Sequence, residues 1–384
     1  SGTSQWNKVG LDIDGEAAGD EFGNSVSISS DGTRVAIGAY GNDGTGSAAG
    51  HVRVYSESGG TWTQVGADID GEAAYDQSGW SVSMSSDGTR VAIGAPMSAA
   101  GHVRVYEESS GTWTQVGSDI DGEALYDFSG AAVSMSSDGT RVAIGAEYNG
   151  SAAGHVRVFY DNSGTWTQVG SDIDGEAAND FSGHSFSMSS DGARVAIGAW
   201  GNVANGVLAN SGHVRVYAES GGTWTQVGQD IDGEAAGDQF GRSVSISSDG
   251  TRVAIGAPFN DGTGTYDNGH VRIYSESGGT WSQVGSDIDG GAAYDESGFS
   301  ISLSSDGTRV AIGAPRTDWG GNDHVRVYAE SSGVWNQVGS DIDGEAGTDL
   351  SGHSVSMSSD GTRVAIGAIL NDGNGSNSGH VRVY

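Results

Sequence analysis

One hairpin, written seven times, constrains this chain more than any other feature. Its first copy is Asn24-Ser25-Val26-Ser27-Ile28-Ser29-Ser30-Asp31-Gly32-Thr33-Arg34-Val35-Ala36-Ile37-Gly38-Ala39, and near-copies start around Ser81, Ala132, Ser185, Ser243, Ser300 and Ser354. Val26 and Ile28 alternate with Ser25, Ser27 and Ser29, the period-two pattern of a strand. Val35 and Ile37 alternate with Ala36 and Gly38. Asp31-Gly32 between them is a dipeptide that favours a two-residue type I′ turn, whose central residues both need positive φ.

A tryptophan marks each unit: Trp6, Trp62, Trp113, Trp166, Trp224, Trp281 and Trp335, spaced 51 to 58 residues apart. A Trp strand such as Thr61-Trp62-Thr63-Gln64-Val65 is followed by an acidic loop, the hairpin, a loop of variable length, and a strand such as His102-Val103-Arg104-Val105-Tyr106. No segment sustains a 3.6-residue apolar period, so essentially no helix is expected. Four short antiparallel strands per repeat predict an all-β fold, a seven-bladed β-propeller of four-stranded antiparallel blades. A parallel β-helix, with shorter coils and no Asp-Gly hairpins, fits less well. Residues 1–384 are expected to form one propeller, with repeats starting near 6, 62, 113, 166, 224, 281 and 335. Blade sheets are buried on both faces, so Ser25 and Ser27 let the next sheet approach while Val26 and Ile28 fill the gap. The phase of the repeat places the N-terminal strand, about Gln5 to Val9, in the last blade beside residues 379–384, which removes two free edges.

The 67 glycines fall at fixed places between strand-like runs and read as turn and close-packing positions. Without cysteine there is no disulfide framework and no thiolate chemistry, and the redox compartment stays open. A net charge of −33 excludes the basic footprint that nucleic acid or an anionic membrane surface requires. No apolar run of about 18 residues occurs, so no membrane insertion is expected.

Phe22-Gly23 before the first hairpin strand, Gly94-Ala95-Pro96 after a second, Phe240-Gly241 with Gly256-Ala257-Pro258, and Gly313-Ala314-Pro315 form a recurring signature. It resembles the FG-GAP repeats of the integrin α-subunit N-terminal propeller and of related bacterial and algal extracellular proteins. The resemblance covers all seven units, although five have Ser-Gly in place of Phe-Gly and four lack the Pro. It implies a seven-bladed propeller, usually extracellular, whose upper-face loops bind proteins or glycans. In that family calcium sits in an Asp-rich loop between the first two strands. Here that connection is the tight Ser30-Asp31-Gly32-Thr33 turn, so such sites are absent from their usual place.

Carboxylates cluster elsewhere. Asp12, Asp14, Glu16 and Asp20 stand at relative positions 1, 3, 5 and 9, and the set recurs as Asp68, Asp70, Glu72 and Asp76, then from Asp119, Asp172, Asp230 and Asp341. The sixth copy, beginning at Asp287, has Gly291 in place of the Glu. With a carbonyl at position 7 this spacing suits Ca2+, which takes six to eight oxygens. The alternative is structural: the last Asp braces a turn, and repeat arginines such as Arg34 and Arg53 neutralise the loops without metal. The repeat histidines His51, His102, His155, His213, His270, His324 and His380, one per blade, are read as packing or hydrogen-bonding residues.

The units differ in three places. One is the residue before the loop's last Asp: Gly19, Tyr75, Tyr126, Asn179, Gly237, Tyr294 and Thr348. Another is the residue that opens the inner strand: Asn24, Trp80, Ala131, His184, Arg242, Phe299 and His353. The third is the loop after the second strand, with Tyr40, Tyr148, Trp200, Phe259, Tyr266, Arg316 and Trp319. All three fall on the disc face opposite the Asp-Gly turns, around the channel mouth. Aromatic and Arg residues on exposed loops are typical of recognition sites. Tyr75, Trp80, Tyr126, His184, Trp200, Arg242, Tyr294, Phe299, Trp319 and His353 are therefore the candidate ligand-binding set. No nucleophile elbow, phosphate loop or His-Glu metal helix occurs. The expectation is a non-enzymatic extracellular or cell-surface module for adhesion, binding a glycan or protein, as a monomer or as part of a larger surface assembly. A structural repeat module of a surface fibre, or an amplified or designed repeat without a selected ligand, is the alternative.

Overall fold

Seven antiparallel sheets form in sequence order, one per hairpin, in a computed structural model that describes residues 5–203, 209–262, 266–315 and 323–384. In blade 1 the strands run Ser25–Ile28, Arg34–Ala39 and His51–Ser58, and the fourth comes in two pieces, Thr61–Gln64 and Ile69–Asp70, both paired with the third. Blades 2 to 6 repeat this order. The second strand is buried on both faces, because each sheet is sandwiched between two others. Large residues of one blade pack against small ones of the blade before it. Ala36, Val52, Val54 and Ile69 of blade 1 meet Val82, Met84, Val91 and Ile93 of blade 2 in one cluster. Gly38 shows how close the approach is: a Cβ there would lie 2.0 Å from the Gly79 carbonyl oxygen.

The hairpin turn differs from the expected type I′. Of the two central residues only Gly32 has positive φ, at 72°. The Gly32 N–H donates to the Ser29 carbonyl. The Asp31 carboxylate instead caps the turn, accepting from the Ser29 hydroxyl and from the Thr33 N–H and hydroxyl at 2.8–2.9 Å. Three bonds to one carboxylate hold Asp31 out of the left-handed region and leave the glycine to make the reversal. Gly32 has a second reason to be glycine, since the Arg363 side chain of blade 7 lies across it and donates to its carbonyl at 3.0 Å.

Blade 7 is completed by the N-terminal strand. Ile13 and Asp14 pair with Val381 and His380, the Val9 N–H donates to the Val383 carbonyl at 2.7 Å, and Gly15 continues the run to Gly379. The paired residues thus extend past the expected Gln5–Val9. The seam is bridged like every other junction. Each repeat Trp donates its indole N–H to a Val carbonyl of the preceding outer strand at 2.8–2.9 Å, and Trp6 does so to Val338 across the closure. Among the described residues one four-residue helical turn, Asn149–Ala152, interrupts the β structure, and no helix is long and apolar enough to cross a membrane.

Removing residues 1–10 takes away the Trp6 and Val9 bonds of the seam. The melting temperature is expected to fall by about 5–10 °C, with the opened sheet edge driving self-association. Calorimetry and sizing of the truncated chain check this, and an unchanged monomer with unchanged melting contradicts it.

Candidate functional site

The inner strands converge on the axis, and their first residues line a funnel of about 320 Å3 on the upper face. Asn24, Trp80, Ala131, His184, Arg242, Phe299 and His353, one per blade, form its rim, with the following Ser and apolar residues below. The scaffold places them there because the preceding Gly, in Phe-Gly or Ser-Gly, takes positive φ (94° at Gly23) and turns the chain into the strand.

The sector of blades 3 to 5 is the most heavily built. His184 Nδ1 lies 2.6 Å from a Glu147 carboxylate oxygen. The His184 ring meets Trp200 edge-on at 6.1 Å, and Trp200 stacks on Phe181 at 4.5 Å and 7°. Arg242 lays its guanidinium over the same indole at 5.4 Å. Tyr148 and Phe128 extend the ring contacts from Phe181 into blade 3. Phe128 and Phe181 sit at φ of 57° and 54°, a left-handed conformation that costs a bulky residue about 1–2 kcal/mol. Elsewhere on the rim, Tyr40 packs on Trp80 at 4.9 Å and donates its hydroxyl to Glu21, and Phe299 meets His353 at 5.2 Å. Burial, with the Glu21 carboxylate beside it, pushes the Tyr40 phenol far up, so it stays a donor.

The predicted ligand-binding residues therefore separate. Trp80, His184, Arg242, Phe299 and His353 line the funnel, and Trp200 braces it from behind. Tyr75 and Tyr126 are 65% and 77% exposed outside it, and Tyr294 stacks on Tyr266 at 6.4 Å. Trp319 lies outside the described residues. Glu147, Phe128 and Phe181 were missed. Glu147 follows Arg141-Val142-Ala143-Ile144-Gly145-Ala146, where other units have Tyr40, Pro96, Trp200, Pro258, Pro315 or Ile369, so aligning the repeats at that position exposes it.

The acidic loops fold as clamps between neighbouring units. Arg53 donates to both oxygens of Asp68 at 2.8–2.9 Å and meets Glu16 of the preceding loop. Arg104 joins Glu72 to Asp119, Arg215 joins Glu176 to Asp230, Arg272 joins Glu234 to Asp287, and Arg382 joins Glu345 to Asp12 across the seam. Arg326 bonds Asp341 and fills the space beside Gly291 where a Glu would stand. Arg157 departs from the pattern, reaching the Asp121 carbonyl and Glu123. The last Asp is a brace: Asp20 is buried, accepting from the Ala17 N–H and the Asn42 amide, and Asp76 accepts from Ala73. Asp14 and Asp70 are exposed at the ends of the short outer strand pieces. So Asp12, Asp14, Glu16 and Asp20 do not close into one cage.

His/Asp/Glu triads able to hold a metal ion nevertheless form at these junctions, among them Glu16, His51 and Asp68, and Glu176, His213 and Asp230. In both, the guanidinium of the clamp already bonds the two carboxylates. Burial, and then the adjacent arginine, hold the clamp histidines below the usual imidazole range, with His270 pulled down to about 4.

A family signature for the FG-GAP repeat matches residues 12–55, 230–274 and 340–384. Three of the seven units thus carry the FG-GAP repeat signature. No curated protein matches it in sequence. Among solved structures, this propeller is similar to a protein assigned as a 6-phosphogluconolactonase from Bacteroides uniformis (15% identity, 84% of this chain and 85% of that one, TM-score 0.58). It is also similar to the periplasmic gluconolactonase of Pseudomonas aeruginosa (18%, 83% and 86%, 0.55) and to the hydrazine synthase of Kuenenia stuttgartiensis (13%, 95% and 96%, 0.61). At these identities the likeness is one of fold.

These findings correct the expectation of a non-enzymatic adhesion module that takes a glycan or protein. The fold is shared with lactonases, and the chain can no longer be set apart from enzymes. The geometry explains why the loop aromatics misled. Trp200 is engaged by Phe181 and Arg242 and Trp80 by Tyr40, so neither offers the open platform a glycan or protein surface needs, whereas the funnel has the size of a small-molecule site.

Two outcomes are expected from the clamps. Arg53→Met removes the guanidinium from Glu16 and Asp68, leaving Asp68 its Gln64 bond, and is expected to cost about 1–2 kcal/mol, partly restored by millimolar divalent cation as the vacated triad takes the ion. Thermal melts with and without chelator read both. The depressed histidines protonate more readily unfolded than folded, so stability present above pH 6.5 is lost as pH falls toward 4. A melting temperature flat over that window counts against buried neutral histidines.

Proposed function

We propose that this propeller is a hydrolase for a small ester- or lactone-type substrate, acting at the upper funnel. The observation that carries the reading is the 2.6 Å His184–Glu147 contact at the rim of the axial funnel on the upper face. Glu147 takes the Nδ1–H and fixes the tautomer, which leaves Nε2 as the working base. His184 Nε2 removes a proton from water as the water oxygen bonds the substrate carbonyl carbon. The tetrahedral oxyanion then collapses, the carbon–alkoxy bond breaks, and the imidazolium returns its proton to the departing alkoxide. The lactonase-type proteins of similar architecture support this reaction class. Residues 1–384 act as one unit in this reading, since the funnel draws on every blade. The periplasmic setting of one similar structure and the acidity of the chain support a place outside the cytoplasm. Calcium enters only where a guanidinium leaves a junction triad.

The wild-type chain is expected to accelerate hydrolysis of at least one of D-glucono-δ-lactone, γ-butyrolactone and p-nitrophenyl acetate in a pH-stat. His184→Gln should lose about 10²-fold or more and Glu147→Gln about tenfold. Rates equal to buffer on all three substrates sink the proposal.

A further inference from the structure

The chain carries 50 acidic residues against 17 basic ones, yet among the described residues no Asp or Glu lines the funnel. Its rim holds instead an arginine and two histidines. This departs from the rest of the molecule, where acids crowd the loops just outside. Glu147 and Glu21, which approach the rim, have oxygens committed to His184 and Tyr40. The other arginines, Arg316 apart, belong to the repeat, whereas Arg242 stands at a position that is Asn, Trp, Ala, His or Phe in other units. Its guanidinium lies over Trp200, 5.4 Å from the ring centroid, with Gln239 at 3.4 Å. Trp200 is in turn fixed by Phe181, stacked on it at 4.5 Å and 7°.

We infer that the substrate carries an oxyanion, a carboxylate or phosphoryl group, and that Arg242 is the residue that receives it. Trp200 is a positioning residue, holding the planar fork that matches two oxygens. A concavity whose described lining holds no carboxylate, in a chain of charge −33, admits an anion where the surrounding surface repels one. The inference rests on the hydrolase reading for the location of the reacting group, and its test is independent of turnover.

The test is calorimetric titration of the full chain with inorganic phosphate, acetate and D-gluconate, with D-glucose as the uncharged control, at low and moderate salt. At least one anion should bind tighter than about 10 mM and weaken with salt, while D-glucose does not bind. The phosphate and carboxylate arms tell the two groups apart. Arg242→Gln should weaken that binding about tenfold or more, and Trp200→Leu several-fold, with both variants melting as the wild type. No anion binding, equal binding to Arg242→Gln, or D-glucose binding as tightly as D-gluconate overturns the inference. Arg242-dependent anion binding without hydrolysis upholds it and refutes the hydrolase reading alone.

Discussion

At every blade junction one inner-strand serine hydroxyl accepts a backbone N–H from the next blade. Ser27 takes Met84, Ser83 takes Met135, and so on around to Ser356, which takes Ile28. A parallel ring lies one turn lower, where the N–H of Ser30, Ser86, Ser137, Ser190, Ser248, Ser305 and Ser359 each reaches the carbonyl of the next, returning to Ser30 at 2.8–3.0 Å. These inner strands have no partner on the axis side, and their polar groups would otherwise be buried without bonds, at about 1–3 kcal/mol each. Serine is small enough to let sheets touch and polar enough to satisfy the group exposed by that contact. The arginines beneath repeat the device, each reaching a turn carbonyl of the next blade, as Arg34 does to Gly88.

This closure also sorts the charge. Acids are displaced to the rims, where Arg clamps tie each unit to the next. Where a clamp draws one carboxylate from each of two loops, as those of Arg53, Arg104, Arg215, Arg272 and Arg382 do, it works both as neutraliser and as fastener, and the Arg382 clamp carries this across the seam. The axis is left for the rim residues. The one scaffold glycine replaced among the pre-histidine positions is Asp323, whose buried carboxylate accepts the Leu350 N–H at 2.6 Å, and burial pushes it up to about 6.

Much of this was readable in the chain. Period-two alternation, the seven Trp marks and the Phe-Gly signature determined the strands, their number and the propeller, since a sheet buried on both faces needs that spacing of large and small residues. The variable positions that open the inner strands were legible too, and all seven are funnel residues. Turn type was not, because the choice between Asp31 and Gly32 for the left-handed position depends on what the Asp carboxylate can cap. Nor was the fate of the acidic loops: the arginine that neutralises Glu16 is Arg53, on a strand beyond the hairpin, and spacing within one loop cannot reveal it. Sequence by itself thus determined a closed ring of like blades and which positions vary on one face. Only the tertiary structure decided that Glu147 of blade 3 meets His184 of blade 4 and that Trp200 is engaged by Arg242, because those contacts cross blade boundaries and depend on curvature that no single repeat encodes.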